Sequence, residues 1–374
     1  MNIINNGVTA VVFEGGYPAS DIEKMLVRVR DAVLLDNLQK MVKVDALHEI
    51  ILVTNYAHLI AEAGKMGLDK VKIHEVEGDH FHFGRELKKV ISRYRLHRVF
   101  YIGGASFPLL EQDEIGGIAS SLLCRRNAVL TNNPQSSDLV AFSPAEAIHN
   151  IEPPPDDNSL AISLRDQAGL EMELLPYTAG ILFDLDTPTD YLILGGSPFA
   201  GERAREALED LPLDFDLLER AKEVLRGYYR ETVLIGRVGA PLIAHLNCNL
   251  QLRLRIFSEE RGMKALGRES AGVVESILAH LIDEVGIDKF FSYLEKVAEV
   301  AFIDTRVLFA HFKLKLSAEE RFLSDMGCWQ EIENPWLKEF TRAAAESAIP
   351  IVLGGHSLVS GGIWVLAEEI MLEK

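Results

Sequence analysis

The chain has 374 residues, 48% hydrophobic and 25% charged, which excludes wholesale disorder and leaves room for two or three domains with substantial cores. Lys and Arg number 38 against 56 Asp and Glu, a formal net charge of −18. That balance excludes wrapping nucleic acid or lying on an anionic membrane, because both need a basic footprint, and any anionic ligand must be held by a local site.

Three widely spaced cysteines, Cys124, Cys248 and Cys328, form no C-x-x-C pair, which argues against a disulfide framework and a thiolate zinc site. Residues 1–13 lack a basic n-region and a long apolar h-region. No run approaches the roughly 18 apolar residues of a membrane span. The expectation is a soluble, cytoplasmic protein with reduced thiols.

In chain order, strands are predicted at 9–13, 49–53, 71–74, 98–102, 128–131, 138–142 and 181–183. Helical spacing fills most of the gaps, as in Ile22, Met25, Leu26 and Val29. Such alternation implies crossover connections and a mostly parallel sheet covered on both faces. Ser20 with Glu23 reads as a capping box and Gly67 as the stop of a helix over 57–66. Thr187-Pro188 before Asp190 reads as an N-cap with proline at the first helical position. His80 and His82 alternate beside Asp79 on a loop, a spacing that does not by itself demand a metal. Pro153-Pro154-Pro155-Asp156-Asp157-Asn158 is a surface loop.

The segment 195–201, Gly-Gly-Ser-Pro-Phe-Ala-Gly, reads as the boundary between a domain of residues 1–196 and one of 197–374. Beyond it helices are predicted at 216–226, 272–285, 288–301 and 335–347, with strands at 232–235 and 250–256. The fold class is therefore α/β, with a three-layer Rossmann-like, mostly parallel sheet in the first half and a mainly helical second half.

Four landmarks carry a family resemblance. Val11-Val-Phe-Glu-Gly15-Gly16 ends a strand in a glycine loop, and Ile50-Ile-Leu-Val-Thr-Asn55 follows as a second strand. Tyr101-Ile-Gly-Gly-Ala-Ser-Phe-Pro-Leu-Leu110 and Phe183-Asp-Leu-Asp-Thr-Pro-Thr-Asp190 complete the set. Their order and spacing resemble nucleotidyltransferases of the glycosyltransferase-A-like fold, above all the molybdopterin and phospholactate guanylyltransferases, over residues 8–196. The resemblance implies Mg²⁺-dependent transfer of a nucleotidyl group from a nucleoside triphosphate, GTP among the candidates, to a small phosphorylated or carboxylated acceptor. Gly15 and Gly16 would approach the nucleotide, and Asp184 and Asp186, hard oxygen ligands two residues apart, would hold Mg²⁺. The sequence departs from the family in two places. Asp21 and Glu23 stand where basic residues are expected, with Lys24, Arg28 or Arg30 as the candidate substitutes, and Ser106 replaces the metal-binding Asp. The alternative is a catalytically degenerate domain used for ligand binding or as an oligomeric scaffold, with any activity in the C-terminal half.

That half carries its own polar residues. Arg253 and Arg255 share a strand face, and Arg321 and Asp325 are four apart on a helix, the spacing of an ion pair. The run 349–357 reads as a buried strand, a Gly354-Gly355 turn and a helix start bearing His356 and Ser357. Arg253, Arg255, Arg306, His356 and Ser357 are the candidate site for an anionic acceptor. The competing expectation pairs these arginines with Glu259, Glu260, Asp304 and Asp325. Ile363-Trp364-Val365-Leu366 is the apolar segment expected to face a partner subunit in a homo-oligomer.

Overall fold

The computed structural model describes residues 7–76, 81–211 and 214–373, so Asp79 and His80 lie outside the described residues. Two compact units emerge: residues 1–17, 30–181 and 264–266 make one, and 18–29, 182–263 and 267–374 the other. The main division falls after Ile181, and the expected break at 196/197 lies within the second unit.

The first unit is built on a seven-stranded sheet. Its strands are β1 (Val8–Phe13), β2 (Leu47–Thr54), β3 (Val71–Glu75), β4 (Val99–Gly103), β5 (Ala128–Thr131), β6 (Leu139–Ser143) and β7 (Glu171–Leu174), ordered β3-β2-β1-β4-β6-β5-β7. All neighbours are parallel except β6, which runs antiparallel to β4 and β5. The two-residue period sorts β1 between two cores. Ala10 and Val12 pack with Leu34, Leu38, Phe100 and Ile102 on one face, while Val11 packs with Val53, Leu87, Tyr101 and Phe142 on the other. This is the mostly parallel sheet that the alternating pattern predicts.

The second unit is mainly helical and also holds a four-stranded, all-parallel sheet. Its strands are β8 (Arg230–Gly236), β9 (Leu252–Ser258), β10 (Val300–Asp304) and β11 (Ile351–Gly354), ordered β11-β10-β8-β9. Val233, Ile235, Ala301, Ile303, Ile351 and Leu353 pack against Ile282, Phe290, Phe291, Leu294 and Phe340. Two of the strands, β8 and β9, match the predicted pair. β10 does not, because the helix expected over 288–301 stops at Val297 and the apolar run that follows is too short to show a period.

Other elements differ from expectation for identifiable reasons. Residues 181–183 form no strand; Ala179–Leu182 is a helical turn, started by Thr178, whose hydroxyl accepts the Ile181 N–H at 3.2 Å. β7 escaped notice because Glu171-Met-Glu-Leu is a mostly exposed edge strand of four residues, too short for the Met172/Leu174 alternation to register as a period. Ile363, Trp364, Val365 and Leu366 are all at most 8% exposed, so this chain's own core covers the segment expected to face a subunit. Among the described residues no helix is long and apolar enough to cross a membrane.

The expected caps form. The Ser20 hydroxyl accepts the Glu23 N–H at 3.2 Å, and the Glu23 carboxylate accepts the Ser20 N–H at 2.9 Å, at the start of the helix Asp21–Met41. Ser20→Ala is expected to cost about 1 kcal/mol, the usual worth of such a cap, read as a lower urea midpoint with an unchanged slope.

Candidate functional site

In an open parallel sheet, ligands bind beyond the carboxyl ends of the strands where the strand order reverses. In the first unit β2 lies on one side of β1 and β4 on the other. A cavity of about 450 Å³ opens at these strand ends, lined by Phe13 to Tyr17, Val53 to Asn55, Tyr101 and the 155–157 loop. Gly15 and Gly16 therefore sit where the sequence puts a ligand.

Sequence explains the cavity's shape. The Gly16 N–H donates to Asn55 Oδ1 and Asn55 Nδ2 donates to the Gly16 carbonyl, both at 3.0 Å. This bridge ties the glycine loop to the end of β2. A Cβ on Gly15 would overlap Asn55 Oδ1, so the close approach needs glycine at that position. Phe13, Phe81, Phe83 and Tyr101 form an aromatic wall, with Phe13 in edge contact with the other three at 5.4–6.0 Å between ring centres. Tyr101 donates its hydroxyl to Asp157 Oδ2 at 2.7 Å.

Charge in the cavity is mostly negative. Among the described lining residues the cation is Arg30, and Glu14 takes it through two contacts of 3.1 Å. Asp156 and Asp157 add carboxylates. Next to Arg30 in sequence, Asp31 is held by His58 at 2.7 Å, and burial pushes its carboxyl up to about 6, Glu14 adding to the shift. Ser106 does not line the cavity; its carbonyl accepts from Asn37 Nδ2 at 3.2 Å. Lys24 belongs to the second unit, is well exposed, and pairs with Asp21 at 3.0 Å.

Asp184 and Asp186 also belong to the second unit. Asp184 Oδ1 accepts the Leu185 N–H at 2.8 Å, and Asp186 is exposed. Asp190, placed by the sequence in the cap after Thr187, is fully buried, which its spacing did not show. Its Oδ2 accepts the Asp186 and Thr187 N–H groups and the Thr187 hydroxyl at 2.8–3.1 Å, while its Oδ1 has no partner. Burial, then the Asp186 charge, holds its carboxyl well above the usual carboxylate range. Among the described residues the one trio of His, Cys, Asp or Glu with converging ligand atoms is Glu275, His280 and His311. Asp184 and Asp186 belong to no such trio, so a cation on them would need most of its shell from ligand oxygens or water.

The second unit repeats the reversal of strand order, at β8 and β10. Here an ion pair spans the strand ends. Arg237, just past β8, donates Nε and Nη2 to Asp304 at the end of β10, at 2.6 and 3.1 Å. Gly236 makes this approach workable: it sits at φ +113, and a Cβ would stand 2.5 Å from Asp304 Cβ. His356, just past β11, is pushed down to about 4, first by burial and then by the Arg237 charge, against the pull of Asp304 and Asp186.

The structure brings some predicted anion-site residues together and separates others. Ser357 Oγ donates to the Asp184 carbonyl at 2.7 Å and accepts its N–H at 3.1 Å, so this hydroxyl is committed to the backbone. Arg306 follows β10 and grips the buried Asp325 bidentately at 2.7 and 2.6 Å. That contact replaces the expected Arg321–Asp325 pair, because Arg306 presents its planar fork to the carboxylate while Arg321 does not. Arg253 and Arg255 do not join Arg306 and His356. Both turn to Glu231 near the start of β8, and their registry with Glu231 and Val233 leaves them short of the carboxyl edge. Arg237, Asp304 and Asp190 were invisible as a group because their proximity comes from strand order, not from spacing.

The order of the seven strands, with β6 antiparallel, gives the first unit a mostly parallel, Rossmann-like α/β sheet with a cavity at its reversal. No known protein family matches the sequence, and no curated protein does. Solved structures match about half of the chain. One, from Desulfovibrio desulfuricans G20, is described as a nucleotide-diphospho-sugar transferase; it is 16% identical, with a TM-score of 0.41 over 54% of this chain and 94% of its own. A CMP:2-keto-3-deoxy-manno-octonic acid synthetase complexed with CTP is 12% identical, at 0.40 over 54% and 99%. Rv0371c of Mycobacterium tuberculosis H37Rv, in complex with manganese, is 20% identical, at 0.38 over 55% and 98%.

Proposed function

We propose that the first unit is a nucleotide-binding module of the nucleotidyltransferase kind, taking the base and ribose of a nucleoside triphosphate into the cavity at Gly15 and Gly16. The observation that carries this reading is the position of the cavity, at the carboxyl ends of β1, β2 and β4 where the strand order reverses. The aromatic wall offers faces for a base. Asp156 and Asp157 supply acceptors, which suit the paired N–H donors of guanine and favour GTP. The phosphates bring charge that Arg30, already bound to Glu14, does not meet. A divalent cation carried by the triphosphate, Mg²⁺ above all, would supply that neutralisation. Mg²⁺-dependent transfer of the nucleotidyl group to a small phosphorylated or carboxylated acceptor is the activity this module would serve.

A second reading rests on Ser106. A neutral hydroxyl where a metal-binding carboxylate is expected favours a module that binds nucleotide without transferring it. Calorimetric titration of the full chain with GTP, CTP, ATP and UTP, with Mg²⁺ and with EDTA, separates the two. GTP is expected to bind in the micromolar range, about −8 kcal/mol. Gly15→Ala, which displaces Asn55, should weaken it by about tenfold or more, roughly 1.4 kcal/mol. Loss of binding in EDTA supports the transferase reading, and survival there supports the binding module. No heat with any nucleotide overturns both.

A further inference from the structure

A second cavity, of about 500 Å³, lies wholly within the second unit. Its walls are the turn at residues 269–272, the helix Arg306–His311 with the loop that follows, and the start of the helix Ala318–Asp325. In a chain of net charge −18 this cavity is cationic. Arg306, Lys313, Lys315 and Arg321 line it against a single carboxylate, Glu269.

Three of those cations are uncommitted. Among the described residues Lys313, Lys315 and Arg321 form no ion pair, and Arg321 donates only its Nε–H, to the Ser317 carbonyl at 3.3 Å. Arg321 is half-buried, and burial together with the neighbouring Arg306 charge holds its proton affinity below the ordinary guanidinium value. A desolvated cation beside a like charge is stabilised by any anion that enters.

Lys313 gives an independent sign. Its backbone closes the C-terminus of the helix Arg306–His311, its N–H donating to the Ala310 carbonyl at 3.2 Å and the Leu314 N–H to the Phe309 carbonyl at 3.0 Å. It does so at φ +51, the position in such a closure where glycine is favoured. A lysine there costs about 1 kcal/mol of backbone strain, and it places a cationic side chain on the cavity wall. The rest of the lining includes apolar side chains, Phe309, Ala310, Leu314 and Leu316.

We propose that this cavity binds a small phosphorylated organic molecule, its phosphate held by Arg321, Lys313 and Lys315 and its organic part lying against Phe309, Leu314 and Leu316. Arg306 stays with Asp325 and lends its charge without leaving that pair. The site is independent of the nucleotide cavity and lies away from Gly15 and Gly16 in sequence and in unit.

The test is calorimetric titration of the full chain at low salt with phenyl phosphate, ribose 5-phosphate and inorganic phosphate. Phenyl phosphate is expected to bind with a Kd below about 1 mM and about tenfold more tightly than inorganic phosphate, with affinity falling as salt rises. Arg321→Ala should weaken it by about tenfold or more, as should the double variant Lys313→Glu/Lys315→Glu. Both lysines are exposed, so the double variant keeps its melting temperature and separates lost binding from lost folding. Gly15→Ala should leave phenyl phosphate binding unchanged, which distinguishes this site from the nucleotide cavity. Equal affinity for phenyl and inorganic phosphate would remove the apolar half of the proposal, and tighter binding of ribose 5-phosphate than of phenyl phosphate would do the same. No heat from any probe, or binding unaltered in the lysine double variant, overturns it.

Discussion

Arg237→Met is expected to destabilise the second unit by about 3–5 kcal/mol, because it strands a buried carboxylate without its partner. Asp304 is fully buried, and against the upward push of burial the Arg237 charge holds its carboxyl below the usual carboxylate range. Three donors of Arg237 reach it, including the backbone N–H at 3.3 Å. The loss would be a large part of the roughly 5–15 kcal/mol that holds a domain folded. Urea unfolding followed by tryptophan fluorescence reads it selectively, since Trp329, Trp336 and Trp364 all lie in the second unit. The double variant Arg237→Met/Asp304→Leu should recover most of the loss, since it removes the stranded charge. Arg253→Met gives the contrast: its pair with Glu231 leaves the arginine side chain 65% exposed, and the change should stay within about 0.5 kcal/mol. A loss below about 1 kcal/mol for Arg237→Met would refute the buried pair as a keystone of this sheet.

His356 is expected to make the second unit sensitive to acid. In the unfolded chain a histidine takes up its proton near pH 6.5; in the folded chain burial and Arg237 delay uptake to about 4. Between these values the unfolded state binds the proton and the folded state refuses it, so stability falls as pH is lowered through that window. The full offset corresponds to about 2–3 kcal/mol lost between pH 6.5 and 4. His356→Gln has no proton to refuse, so from pH 7 to 4.5 it should lose about 2 kcal/mol less than the parent chain. Asp304, also shifted toward acid lability, contributes to both proteins and largely cancels in the comparison. Parallel pH profiles for parent and variant would show that His356 titrates normally in the fold.

The two cavities and the Arg237–Asp304 pair share one geometric origin. Parallel strands direct their carboxyl ends to the same edge, and a reversal of order parts the loops that leave them. In the first unit Gly15 and Gly16 keep that opening clear. In the second, Gly236 lets Arg237 approach and pair with Asp304 at the strand ends.

The amino-acid sequence by itself determined the α/β class, the position of six of the seven strands in the first sheet, the Ser20 and Thr187 caps, and the glycine loop at the end of β1. Each of these rests on local physics: side-chain period, the hydrogen-bonding needs of a helix start, and the backbone approach only glycine permits. Tertiary structure alone decided that residues 182–196 join the second unit, that Arg306 and not Arg321 takes Asp325, and that Arg253 and Arg255 stay with Glu231. It also gathered Asp190, Arg237 and Asp304 as buried charges and left Lys313, Lys315 and Arg321 without an ion pair among the described residues. Ion pairs form between residues brought close by strand order and crossover connections, across separations such as the 67 residues between Arg237 and Asp304. Sequence spacing carries no record of that proximity, because strand order is fixed by how the whole sheet buries its two faces.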